Sequence, residues 1–348
     1  MKNSQIHVQF VLMFLMALLL FSCSTSKNVQ STAMNSFAKG ADVGWLSQME
    51  ATGYKFYDAD GTEKDCLQLL KDRGINTIRL RVWVNPNDDK ASGHCSREET
   101  VAMAWRAQKI GMRIMINFHY SDSWADPAKQ FKPKAWENHS FPELMMDVYD
   151  HTFDVLRALK SAGVTPEWVQ VGNEIPGGMM WPEGSTKNWN QLAQLLNKGY
   201  EATKAIDPKI KVIVHLDEGN NNEKFRWFFD KATANNVKYD VIGLSYYPFW
   251  IKKDYTETIA DLAHNLNDMV ARYNKEVMVV EVGGAYDKVQ NTYEMLAATI
   301  KAVEAVPNNK GLGVIYWEPQ GEKSWSSYSL SAWQSDGKPS IALDAFKE

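Results

Sequence analysis

Short runs rich in aliphatic and β-branched residues alternate eight times with amphipathic stretches from Ala38 onward, and this alternation constrains the chain more than any other feature. It is the signature of βα units around a parallel sheet, because each parallel strand needs a long crossover, usually a helix, to reach its neighbour. The pattern predicts strands near Gly40 to Val43, Thr77 to Val82, Arg113 to Phe118, Trp168 to Val171, Lys211 to Leu216, Val241 to Ser245, Val277 to Glu281 and Gly313 to Trp317. Helices are predicted around Lys64 to Arg73, Arg97 to Ile110, Glu143 to Ala162, Trp189 to Ile206, Glu223 to Asn235, Ile259 to Tyr273 and Asn291 to Val306, with a last one near Ile341 to Phe346. Gly74, Gly111 and Gly163 stand where helices should end, as C-terminal capping requires. Eight such units in one chain indicate a single-domain (β/α)8 barrel with long loops. A doubly wound sheet would want a Gly-rich phosphate turn after an early strand, and the sequence has none.

The first residues read as an address. Lys2 precedes an almost wholly apolar run from Ile6 to Phe21, too short for a spanning helix and suited to a secretory leader. Leu20, Phe21 and Ser22 before Cys23 resemble the lipobox of bacterial lipoproteins, in which the Cys is acylated after cleavage. This division gives a signal peptide over 1–22, a polar tether over 23–36 and a catalytic barrel over 37–348, exported and lipid-anchored in the cell envelope on a periplasmic or surface face of the outer membrane. Cys66 and Cys95 then remain, and the sequence leaves their pairing open. The seven His are dispersed, without Cys and His spacing suited to zinc. A net charge of −4 gives no basic face for a nucleic acid.

In such a barrel the chemistry sits at the C-terminal ends of the strands. The second strand runs into RLRVW, with Arg81 and Trp83; the third runs into NFHYSDSWADP, with His119, Asp122 and Trp124. The fourth to eighth end in VQVGNEI, HLDEGN, LSYYPFW, VVEVGGAY and YWEPQG. Each residue alone has an ordinary structural explanation, but seven polar or aromatic strand ends together do not. Glu174 and Glu281 follow nearly opposite strands, so their carboxyls can face each other across the mouth. Two facing carboxyls suit glycoside hydrolysis, and about 5 to 5.5 Å between them gives retention. The 13 Trp, 14 Tyr and 14 Phe can supply rings for stacking on sugar faces.

The motifs GADVGW, FYDADG, RLRVWVNP, NFHYSDSWADP, VQVGNEI, LSYYPFW and YWEPQG closely resemble family 53 of the glycoside hydrolases, the endo-β-1,4-galactanases of clan A, from Gly40 to about Trp317. The resemblance implies that Glu174 is the general acid/base and Glu281 the nucleophile, acting on β-1,4-galactan or type I arabinogalactan to release galacto-oligosaccharides. It further implies that Asn173 bonds the sugar 2-hydroxyl, that Arg81 lies beside Glu281 and keeps it ionised, that Tyr247 donates to the nucleophile, and that Trp317 is a stacking floor. Tyr246 should point away. Asp42, His119, Asp122 and Asp217 match cleft positions, and Trp83, Trp124 and Trp250 are candidate outer platforms. An axial 4-hydroxyl bends the galactan chain, so rings from several sides of the mouth should fit it better than one flat strip. The compact segment GEKSWSSYSLSAWQSDG departs from the family pattern, and only Asp287 follows the seventh strand closely enough to suggest a calcium ligand. No metal or other cofactor is expected, and a monomer is. Another β-1,4-glycan such as mannan or xylan, or a barrel that binds glycan without cutting it, are the alternatives.

Overall fold

The computed structural model describes residues 37–347 apart from Ser92 and Gly93. The predicted leader, Cys23 and the tether lie outside the described residues. Eight strands, β1 (Ala38–Asp42), β2 (Thr77–Val82), β3 (Arg113–Phe118), β4 (Trp168–Val171), β5 (Lys211–Leu216), β6 (Val241–Tyr246), β7 (Glu276–Val282) and β8 (Gly311–Tyr316), close into a barrel in sequence order. Every pairing is parallel, β8 back to β1 included. The chain folds as the predicted (β/α)8 barrel.

Helices Arg97–Lys109, Phe141–Ser161, Trp189–Ile206, Asn222–Ala234, Ile259–Tyr273 and Val289–Glu304 occupy predicted positions. The first crossover helix starts at Cys66, later than predicted, because the Asp65 side chain caps it by accepting from the Gln68 N–H. The last predicted helix, Ile341–Phe346, is a 3₁₀ turn. Short helices at Leu46–Ala51 and Lys323–Ser326 lie in connections too brief to show periodicity.

Alternation along the strands divides the interior into two levels. Ala38, Met115, Trp168, Ile213, Val241, Met278, Val280 and Ile315 form an apolar plug. Further toward the C-terminal ends the buried residues become polar: Asp42, Arg79, Arg81, Asn117, His119, Gln170, His215, Ser245 and Glu281. Residues of the other parity, such as Ile78, Leu80 and Val82 of β2, join the larger cluster that also contains the helix residues. One irregularity matters for the site. Leu244 pairs with Val279 but Ser245 pairs with Glu281, so β7 carries an extra residue at Val280. Strict alternation after Met278 and Val280 would send Glu281 outward; the bulge turns it into the mouth instead.

Candidate active site

A cleft of about 470 Å³ opens at the C-terminal end of the barrel. Glu174 and Glu281 both line it, with His119, Trp124, Asn173, Asp217, Tyr247, Trp250 and Trp317. Local backbone geometry aims Glu174. Gly172 has φ of +81° and Glu174 itself φ of +44°, a left-handed conformation that a residue bearing a Cβ adopts only under constraint.

The two carboxyls have different surroundings. Glu281 Oε1 accepts from Arg79 Nη2 at 2.9 Å, and its Oε2 accepts from the Tyr247 hydroxyl at 3.3 Å. Glu174 Oε1 accepts from the Ser245 hydroxyl at 2.6 Å. Burial raises both groups, but the Arg79 cation and the Tyr247 hydroxyl pull Glu281 back. Glu174 rises well above the usual carboxylate range through burial and through the field of Glu281, opposed chiefly by the Ser245 hydroxyl. Glu281 therefore ionises first, and its charge holds the proton on Glu174.

The arginine beside Glu281 is Arg79, not Arg81. Both point into the barrel two residues apart on β2, but Arg81 stands one level nearer the C-terminal end of the strand and pairs with Glu318. Asp42 lies between the two, 2.7 Å from Arg79 Nη1 and 3.6 Å from Arg81 Nη1, fully buried and outside the cleft lining. It is a counter-ion to two arginines, contrary to the expectation that it contacts substrate. Glu318 also accepts from the Trp45 backbone N–H and from Gln320. A Cβ on Gly44 would collide with the Arg81 guanidinium, so this glycine is required by close approach. Glu318→Ala is expected to destabilise the fold by about 3–5 kcal/mol, because it leaves Arg81 buried beside a carboxylate already shared with Arg79. A melting temperature within about a degree of the unsubstituted protein would contradict that role.

The aromatic predictions divide. Trp317 stands in the cleft wall, with Trp45 and Tyr328 against it at ring-centroid distances of 5.0 and 4.8 Å. Trp124 is half-buried, with the Arg81 guanidinium 4.4 Å from its ring centroid and Trp317 at 5.7 Å, so it belongs to this braced wall. Trp83 is not an outer platform: it is wholly buried, edge-on to Trp124 at 5.0 Å. Trp250 is 59% exposed at the rim, beside Phe249. Tyr246 points away, its hydroxyl on Thr258.

Asp122 is also corrected. Its carboxylate accepts from the Asn85 and Lys134 backbone N–H groups at 2.9 and 2.8 Å and staples two loops, outside the cleft lining. His119 lines the cleft as a neutral ring, because burial and the two arginines disfavour its protonation. Asn173 Oδ1 accepts from Arg79 and Asn117, and its Nδ2 donates to the Ala125 carbonyl at 2.8 Å. Asp217 Oδ2 is bound by Lys224 at 2.9 Å, while its Oδ1 is buried without a partner. Cys66 and Cys95 are buried thiols with no disulfide. Among the described residues, no group of three or more His, Cys, Asp or Glu is placed to hold a metal.

Sequence reading missed Arg79, Glu318, Gln170, His215 and Ser245. The available signal was parity. Polar residues at inward positions of apolar strands, as in RLRV, WVQV and VIVHL, lie where a plug residue would otherwise sit.

The family model of glycosyl hydrolase family 53 matches residues 38–343. An arabinogalactan endo-β-1,4-galactanase of Humicola insolens is 35% identical over 304 residues, covering 81% of this chain and 89% of its own. An endo-β-1,4-galactanase of Bacillus subtilis is 34% identical over 330 residues, covering 86% and 75%. The solved family 53 catalytic domain of Ignisphaera aggregans has a TM-score of 0.83 at 31% identity, covering 92% of this chain and 97% of that one.

Proposed function

The chain belongs to glycosyl hydrolase family 53, and from that premise we propose that it is an endo-hydrolase of β-1,4-galactan that works by double displacement. The observation that carries this reading is the asymmetry of the two cleft carboxyls: Glu281 is paired with a cation, and Glu174 is not. An ionised carboxylate and a protonated carboxyl facing one cavity are what a two-carboxyl glycosidase needs, and the resemblance to family 53 supports retention. The names of the Humicola and Bacillus relatives support galactan as the substrate.

In the first step Glu281 attacks the anomeric carbon while Glu174 gives its proton to the departing 4-oxygen, leaving a galactosyl ester on Glu281. In the second, Glu174 takes a proton from water, which attacks the ester and restores Glu281 with net retention. Asn173 has its Oδ1 occupied and one Nδ2 hydrogen on Ala125, so the other Nδ2 hydrogen is the donor left for the sugar 2-hydroxyl. Asp217 Oδ1 offers an acceptor to a sugar hydroxyl. Trp317 offers a stacking face.

Incubation with linear galactan, arabinogalactan, mannan and xylan, followed by chromatography, should give galacto-oligosaccharides from the first two alone. NMR of the fresh products should show the β-anomer first. Comparable release from mannan or xylan, or an α-anomer first, would count against the reading. Trp250→Ala should lower kcat/KM on polymer roughly fivefold, the worth of about 1 kcal/mol of stacking, and spare the shortest cleavable oligosaccharide. A uniform loss would place Trp250 at the catalytic subsite.

The lipid anchor at Cys23 completes the proposal, supported by the apolar run and the Leu20–Cys23 pattern. Cys23→Ser should move the protein from the membrane fraction to the soluble one, since acyl chains supply the membrane affinity. An unsubstituted protein that fractionates as soluble and carries no acyl chains by mass spectrometry would refute it.

A further inference from the structure

Behind Glu174 lies a buried line of hydrogen bonds whose direction is fixed at its far end. Arg79 can only donate, and its Nη2 lies 3.1 Å from Gln170 Oε1, which sets that amide with its Nε2 turned the other way. Gln170 Nε2 lies 3.0 Å from His215 Nδ1. The Glu174 backbone N–H also points at His215 Nδ1, at 3.3 Å. The backbone N–H can only donate, so Nδ1 is the unprotonated nitrogen; one Gln170 Nε2 hydrogen goes to Asn117 Oδ1 at 2.6 Å and the other is directed at Nδ1. Burial and the Arg79 cation keep the ring neutral, so the remaining hydrogen is on Nε2, 2.8 Å from Ser245 Oγ. Ser245 Oγ receives that hydrogen, and its own hydrogen goes to Glu174 Oε1.

We infer that His215 and Ser245 are positioning residues, polarised from Arg79 through Gln170, that keep Glu174 Oε1 an acceptor and so place the acid's proton on Oε2, the oxygen left to the cleft. The same arginine donates to Glu281 Oε1, so one cation both holds the nucleophile ionised and orients the proton of the acid. All four relay members are buried, and none needs to move between the two steps. When Glu174 loses its proton, the Ser245 hydroxyl already donates to the carboxylate and stabilises it for its turn as base. This inference rests on the acid/base role proposed for Glu174.

Ser245→Ala removes the donor to Oε1 and leaves unchanged the charges that face Glu174: Glu281 on β7, Asp217 with Lys224 after β5, Arg79 on β2 and the neutral Tyr247 after β6. A hydrogen bond donated to a carboxylate favours ionisation, so its loss raises the pKa of the acid. The basic limb of the kcat/KM profile on galactan should move up by about one pH unit, and kcat on polymer should fall about tenfold. An aryl galactoside with a good leaving group should keep its kcat/KM, which reports the first step, because that step then needs little protonation. Independently, long-range ¹⁵N correlation on the unsubstituted enzyme should show His215 as the Nε2–H tautomer, unchanged across about pH 5 to 9. A limb that moves by less than about half a unit, or His215 found with Nδ1 protonated or titrating in that range, overturns the relay. Glu174→Ala assayed alongside separates the two failures. Equal losses on polymer and aryl substrate reject the acid role itself, whereas a selective loss with an unmoved Ser245→Ala limb rejects only the relay.

Discussion

Glu281→Ala is expected to lower kcat by at least about four orders of magnitude, and azide to restore turnover with a glycosyl azide as product. Shortening the side chain removes the carboxylate and opens space at the floor of the cleft. Arg79 remains there, still paired with Asp42 at 2.7 Å but stripped of its second anion. A small anion entering that space meets the same guanidinium that held Glu281, so its approach to the anomeric carbon is guided as well as sterically permitted. Because the azide stands where the nucleophile stood, it attacks the same face and gives the α-azide, with no second displacement to reverse it. Arg79 keeps its bonds to Gln170 and Asn173, so the variant should fold, and its melting temperature checks that. Formation of the β-azide would transfer the nucleophilic role away from Glu281.

The barrel and its two carboxyls were legible in the sequence because they depend on quantities a sequence carries. Strand and helix periods give the eight units, and position at a strand end brings a residue to the catalytic face. Height and azimuth inside the barrel are not carried in this way. Arg79 and Arg81 share one face of β2, yet one meets Glu281 of β7 and the other Glu318 just after β8. Strict alternation would have turned Glu281 outward, and the run EVMVVEV gives no sign of the bulge that corrects it. Trp83 shares its parity with two inward residues, but beyond the strand's end the chain turns and the ring is buried beneath Trp124. Asp122 is acidic and near the site, yet its loop uses it to bind two backbone N–H groups. His215 and Ser245 escaped notice because each occupies one inward position of an otherwise apolar strand, where composition alone reads as core.

For Glu174→Ala the expected result is a split between substrates. On galactan the departing 4-oxygen of a sugar is a poor leaving group and must be protonated as the bond breaks, so kcat/KM should fall by about 10²- to 10⁴-fold. On a dinitrophenyl galactoside the leaving phenolate needs no proton, and the first step should proceed nearly unimpaired. The second step still lacks its base, so the galactosyl ester on Glu281 should accumulate: a burst of phenolate, followed by slow turnover that added azide accelerates. That azide product should have the β configuration, since it arises from attack on an existing intermediate, the opposite of the anomer from Glu281→Ala. The alkaline limb of the profile should also vanish, because burial and the charge of Glu281 place its titration on this one carboxyl. Each feature follows from the pairing of a cation with Glu281 and of a hydroxyl with Glu174. Losses of equal size on both substrates, or the same azide anomer from both variants, would mean that the two carboxyls do not divide the work in this way.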